Sequence, residues 1–193
     1  MTADEINIAY EKTSPRQPGQ AVPREAYLDI ETTGLSYFEA EITVIGIYLT
    51  GPESERLVQL VNPDISSQTL LGELEGVQAI YTYNGGRFDL PFIQHELGVD
   101  LERHCRAHHD LMYRCWDCNL YGGFKRVEEQ LGIPRQLKGV GGYEAVMLWE
   151  RYRRHRDRTA LETLLKYNAE DVINLKVLRE KLTGYRPVPR APR

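Results

Sequence analysis

The stretch YLDIETTGL, residues 27–35, decides how the rest of the chain is read. An apolar, strand-like run carries Asp29 and Glu31 and stops at Thr32, Thr33 and Gly34. Side chains alternate along a strand, so positions 29 and 31 share a face and their carboxylates lie close together. Like charges in such proximity raise each other's pKa or cost stability unless something positive lies between them. The pair therefore asks for a cation.

The chain around this stretch has 193 residues, 41% apolar and 27% charged, the composition of one ordinary soluble domain. No run approaches the length of a membrane span. The first twenty residues lack a basic region followed by an apolar one, which argues against export. Three cysteines without a secretory signal fit a reducing cytoplasm. The net charge of −4 hides a segregation: residues 1–122 hold 8 Lys+Arg against 19 Asp+Glu, and residues 123–193 hold 16 against 9. Such asymmetry hints at a polyanionic partner, although solvated charged faces are its commoner cause.

Prolines at 15, 18 and 23 predict a flexible arm over residues 1–24. The basic, proline-rich GYRPVPRAPR predicts an irregular tail over 184–193. Between them, strands are expected at 25–31, 41–50, 55–63 and 77–84, with a short last one at 107–111. Helices are expected near 66–75 and 87–97, the latter with Pro91 in its first turn, where a missing N–H does least harm. From about residue 111 the pattern turns helical, near 111–118, 123–131 and 141–153. It ends in a long helix over 157–183 with leucines at spacings of three and four. Strands with intervening helices, then a helical C-terminal half, predict an α/β fold. The hairpin-like succession at 25–61 points to a mixed central sheet.

Two further acidic sites belong with the first pair. YNGGRFDLPFI puts Asn84 at a strand end and Asp89 in the first turn of a helix. YNAEDVINL puts Tyr167 and Asp171 at i and i+4 of the last helix, on one face. Asp171 interrupts a leucine-rich face, an expensive place for a lone carboxylate.

These three segments, DIETTG, NGGRFD and YNAED, resemble in order the three motifs of the DEDD exonuclease superfamily. The tyrosine four residues before the last aspartate resembles the subclass shared with the proofreading domains of family B DNA polymerases. GGFKRVEEQLGIPR and LWERYRRHRD…ALETLLKYNAEDVINL resemble the YprB-type RNase H-like exonucleases, so that the likeness spans about 25–183. The resemblance implies an RNase H-like domain, a mixed central sheet flanked by helices. It also implies 3′–5′ hydrolysis of DNA or RNA ends to nucleoside 5′-monophosphates, with single-stranded or 3′-ended nucleic acid as the partner.

By the same resemblance, two Mg²⁺ or Mn²⁺ ions occupy the space beside the acids, one serving the attacking water and the other the leaving 3′ oxygen. Asp29 bridges both, Glu31 and Asp171 bind the nucleophile-side ion, and Asp89 acts on the second. Tyr167 orients the water, and Asn84 positions substrate or Asp89. Hard cations suit this donor set, and four clustered carboxylates cannot all stay ionised without them.

Other residues carry weaker signals. Thr32 and Phe88 are candidate substrate contacts, and Phe88 and Tyr83 could stack on a terminal base, though core packing is the commoner role for such aromatics. Lys125 and Arg126 follow a flexible Gly-Gly turn from which they could reach phosphates. RYRRHRDR (151–158) could track a single strand or be a solvated helix end. Cys105, His108, Cys115 and Cys118 have a spacing that could hold structural Zn²⁺, against which stands the frequency of buried free cysteines. Asp110 is a candidate support for the acidic site. Three other functions remain: a catalytically silent nucleic-acid-binding module of the same fold, a zinc-stabilised interaction domain resting on the Cys/His cluster, and internal cleavage by the same site.

Overall fold

The acid-bearing run forms strand β1 (Glu25–Thr32), and β2 (Ile42–Thr50) and β3 (Glu55–Val61) follow it as an antiparallel meander. The structure, a computed structural model, describes residues 25–185 apart from Glu53. The arm expected over 1–24 and the tail beyond 185 lie outside the described residues. Helix α1 (Ser67–Glu73) starts at a reciprocal cap between Ser66 and Thr69. Strand β4 (Ala79–Thr82) leads to α2 (Asp89–Leu97), which ends at Gly98 in the left-handed conformation that glycine accepts without strain. A single turn, α3 (Leu101–His104), which the sequence did not suggest, precedes β5 (Ala107–Asp110).

The helical half consists of α4 (Leu111–Asp117), α5 (Phe124–Leu131), α6 (Gly142–His155) and α7 (Arg158–Gly184). Asp157 caps α7, accepting from the Ala160 N–H at 3.1 Å. The helix runs through Gly184, the first residue of the tail expected to be irregular.

The sheet order is β3-β2-β1-β4-β5, with β1/β4 and β4/β5 parallel. It is the mixed sheet of an RNase H-like fold, and β1 lies at its centre. Alternation along β1 gives its two faces different neighbours. Ala26, Leu28 and Ile30 pack with Ile45, Ile47, Leu70, Phe92 and Ile93 on the side of α1 and α2. Tyr27 packs with Leu175 and Leu178 of α7, and Val44 of β2 with Leu164 and Leu165 of the same helix. Asp29 and Glu31 continue the Tyr27 face, towards α7.

The zinc constellation does not assemble. Cys105 belongs to the core on the α1/α2 side, whereas Cys115 and Cys118 belong to the one on the α7 side, so the sheet separates them. His108 Nε2 lies 2.9 Å from the Thr82 hydroxyl, and all three cysteines are free and buried. The arginine run at 151–158 sits at the end of α6. There Arg151 pairs with Asp157 (2.5 Å), and Arg153 and Arg154 pair with Glu150 (2.9 and 2.6 Å). That is the arrangement of a solvated helix end. No described helix is long and apolar enough to cross a membrane.

Candidate active site

Two elements distant in sequence bring the acids together. Asp29 and Glu31 project from the end of β1, and α7 lays Asp171 against them. One oxygen from each lies within 4.8 Å of the others, the one such cluster among the described residues. A cation bound at 2.0–2.6 Å holds opposed oxygens about 4–5 Å apart, so this spacing fits a shared ion. Asp89 comes from a third direction, at the first turn of α2. Its Oδ1 accepts the Ile30 N–H at 3.1 Å, which ties that helix to the strand between the two acids.

Burial sharpens the repulsion. Glu31, Asp89 and Asp171 are buried and Asp29 is partly so. Desolvation, then the charges of Asp171, Glu31 and Asp89, pushes the Asp29 carboxyl well above the usual range. Desolvation and the charges of Asp171 and Asp89 do the same to Glu31. Asp89 is raised to about 7, chiefly by desolvation, against the lowering effect of its backbone hydrogen bonds. Glu31 Oε1 is buried without a hydrogen-bond partner. A stranded acceptor among crowded carboxylates, all oxygen donors, matches what a hard divalent cation requires.

Tyr167 lies one turn before Asp171 on α7, and desolvation followed by the charges of Asp171, Glu31 and Asp29 raises its phenol further above its already high range. The hydroxyl therefore stays protonated. Lys125 stands over the Tyr167 ring, 4.5 Å from its centroid, and donates to the Val140 carbonyl. The Gly-Gly turn thus delivers Lys125 to the site. Arg126 next to it is exposed and pairs with Glu129 at 3.1 Å.

Arg135 is the principal residue that sequence reasoning missed. It lies in the loop after α5, where its Nη2 donates to Asp171 and its Nε to Glu128. Glu128 is buried and also accepts from Asn174 Nδ2 at 2.7 Å. The Arg135 guanidinium is raised in pKa despite desolvation, because its hydrogen bond to Glu128 and the charge of Asp171 outweigh it. Desolvation also raises Asp171, with Arg135 opposing the shift. A buried glutamate on the apolar side of α5 was the available signal, since it needs a cation nearby.

The remaining candidates make local contacts. Asn84 adopts a left-handed conformation (φ 63°), and its N–H donates to Asp110 Oδ1 at 2.7 Å. Asp110 Oδ2 accepts from Gly86 at 3.2 Å, and Oδ1 also caps α4 through Met112 at 3.1 Å. Asp110 thus braces the loop that carries Asn84 and leads into Asp89. Thr32 donates to the Gly34 carbonyl at 2.6 Å. Phe88 is half-buried against Phe92, with ring centroids 4.9 Å apart, and Tyr83 stacks on Phe124 at 5.1 Å.

The RNase_H_2 family of the RNase H superfamily matches residues 26–183. None of the curated proteins matches significantly. Among solved structures, NrnC of Brucella melitensis bound to pGG is similar with a TM-score of 0.60 and 18% identity, over 86% of this chain and 75% of that one. The same protein with bound Mg²⁺ gives a TM-score of 0.59 and 17% identity over the same shares. The family B DNA polymerase of the hyperthermophilic archaeon Pyrobaculum calidifontis gives 0.57 and 16%, over 86% of this chain and 26% of the polymerase.

Proposed function

Because this chain belongs to the RNase_H_2 family of the RNase H superfamily, we propose that it is a metal-dependent 3′–5′ exonuclease acting on DNA or RNA ends. The observation that carries the reading is the convergence of Asp29, Glu31 and Asp171 within 4.8 Å, with Glu31 Oε1 left unpartnered. Support comes also from the fold shared with an Mg²⁺-bound NrnC and with one bound to pGG.

Asp29, Glu31 and Asp171 would hold Mg²⁺ or Mn²⁺, with Asp89 completing the set for a second ion. Cations there would supply Lewis acidity to a water and to the phosphodiester it attacks. The residues supply the rest. Tyr167, kept protonated by its surroundings, orients the water by hydrogen bonding rather than by taking its proton. Lys125 offers positive charge beside Tyr167 to a backbone phosphate, and Asn84 shapes the rim in front of Asp89. Addition of water to the terminal phosphorus, with cleavage of its bond to the 3′ oxygen of the penultimate nucleotide, would release a nucleoside 5′-monophosphate and leave a new 3′ hydroxyl.

A catalytically silent binding module is the second reading, favoured by the Arg135 cation already on Asp171. That guanidinium serves only one side of the cluster. Among the described residues no ion pair reaches Asp29 or Glu31, so their charge remains to be balanced. Incubation with 5′-labelled and 3′-labelled single-stranded DNA and RNA, with EDTA or Mn²⁺, separates the readings. The exonuclease shortens 5′-labelled strands into a ladder and releases label from the 3′ end as mononucleotide, only with the metal. Intact strands under all conditions support the silent module, and internal fragments without a ladder support endonuclease action.

A further inference from the structure

One row across the sheet ends at the acidic site. Asp29 of β1 pairs with Gly46 of β2, and Gly46 pairs with Gln59 of β3. Directly paired residues of antiparallel strands point to the same face, so the three form a line beneath α7. The middle position has no side chain, and the Asn168 amide occupies its place. A Cβ on Gly46 would lie 2.2 Å from Asn168 Oδ1 and 2.8 Å from its Cγ, so the amide would have to move from its place.

Asn168 has 0% exposure and joins the two ends of the row. Its Nδ2 lies 3.3 Å from Asp29 Oδ2 and 3.3 Å from the Asp29 carbonyl. Its Oδ1 accepts from Gln59 Nε2 at 3.0 Å. The direction of this chain of bonds is fixed at its far end. Gln59 Nε2 also donates to the Leu165 carbonyl at 2.7 Å, and a carbonyl can only accept. The Gln59 amide must therefore present its NH₂ to Asn168, whose oxygen is thereby used, and whose NH₂ is left for Asp29.

We propose that Asn168 is a positioning residue for cation binding, oriented by Gln59 and admitted by Gly46, which holds Asp29 Oδ2 so that Oδ1 is free for the ion. The inference rests on the metal-site reading above. A donor on one carboxylate oxygen fixes the rotamer of the side chain, as outer partners of metal ligands do. Tyr167, Asn168 and Asp171 thus give α7 three separate functions on one stretch of helix.

The test is Mn²⁺ affinity, measured on the full chain from the paramagnetic resonance of free Mn²⁺. Wild type, Asn168→Ala, Gly46→Ala, Gly46→Ala/Asn168→Ala and Gln59→Glu are compared. Asn168→Ala should weaken binding by roughly 10–100-fold, the usual loss for a removed outer partner. Gly46→Ala should do the same by displacing the amide, and the double variant should bind no more weakly than Asn168→Ala, because the methyl then enters vacated space. Gln59→Glu, at a partly exposed position, forces an acceptor onto Asn168 and should turn its oxygen towards Asp29, again weakening binding. Affinities within twofold of wild type in Asn168→Ala and Gln59→Glu overturn the proposal, as does full additivity in the double variant. Should the Asn168 and Gly46 variants fail to fold, Gln59→Glu alone decides. A wild-type protein that binds no Mn²⁺, or an Asp29→Ala variant that binds it as tightly, defeats the metal-site reading itself and the relay with it.

Discussion

Arg135 and Asp171 form a largely buried ion pair at one side of the acidic site, and the same guanidinium holds Glu128 on its other side. Removing one member of such a group leaves the others charged and uncompensated. Arg135→Met should therefore destabilise the protein by about 3–5 kcal/mol, roughly 6–20 °C in Tm for a chain of this size. Mn²⁺ should restore more of the lost Tm than it adds to wild type, because both oxygens of Asp171 become available. A thermal scan with and without Mn²⁺ checks this, and an Arg135→Met protein that melts with wild type would show that the pair contributes nothing.

The crowding of carboxylates sets the pH dependence of the metal-free protein. Asp29, Glu31, Asp89 and Asp171 all bind protons more tightly folded than unfolded, with Asp89 at about 7 against an ordinary value of about 4. In that window the unfolded chain has released protons that the native state retains, so this contribution to stability is lost as pH rises. In EDTA the Tm should fall between about pH 5 and pH 8, and Asp89→Asn should flatten the slope. The gain on adding Mn²⁺ should grow with pH over the same range. A metal-free Tm that climbs across the window contradicts the arrangement.

Tyr167 and Asp171 sit one turn apart, yet their loss should be felt differently. Asp171→Ala deletes a ligand and should abolish both Mn²⁺ binding and turnover. Tyr167→Phe removes only the hydroxyl, which should slow turnover by ~10²-fold, at the low end for a positioned group, with Mn²⁺ affinity preserved. Wild-type turnover in a folded Tyr167→Phe protein would assign the ring to packing alone.

Lys125 should be felt through the substrate backbone. Lys125→Ala should weaken single-strand binding and reduce the slope of log affinity against log salt by about 0.7, the loss of one phosphate contact. Arg126→Ala should matter less, its guanidinium being engaged with Glu129. Equal effects from the two would point to a diffuse field rather than a contact.

The acids were legible because a strand and a helix have fixed periods. Asp29 and Glu31 share a face by alternation, Tyr167 and Asp171 by the helical turn, and the leucines of α7 show which side of it is buried. The antiparallel meander of β1 to β3 was equally plain from its apolar runs and the turns between them. The strand order was not, because the parallel pairing of β1 with β4 depends on a crossover whose packing no local pattern encodes. Arg135 escaped for a related reason: a loop arginine has no periodicity, and its partner Asp171 lies 36 residues away. Asn168 stands inside the quoted YNAED with nothing in the sequence to single it out, since its contact with Asp29 shows only when Gly46 is placed beneath it. The Cys/His spacing misled because it counts residues along the chain, whereas the sheet puts Cys105 on one side and Cys115 and Cys118 on the other.

The separation between Asp29 and Asn168, 139 positions along the chain, has a consequence during synthesis. β1 emerges from the ribosome early and α7 late, so a growing chain carries Asp29 and Glu31 on an uncovered sheet face while neither Tyr167 nor Asp171 yet exists. No nascent fragment that stops short of α7 can assemble the cluster. On the exonuclease reading proposed above, the chain thereby has no assembled site with which to cut the message and ribosomal RNA that are producing it, and becomes competent only when α7 docks.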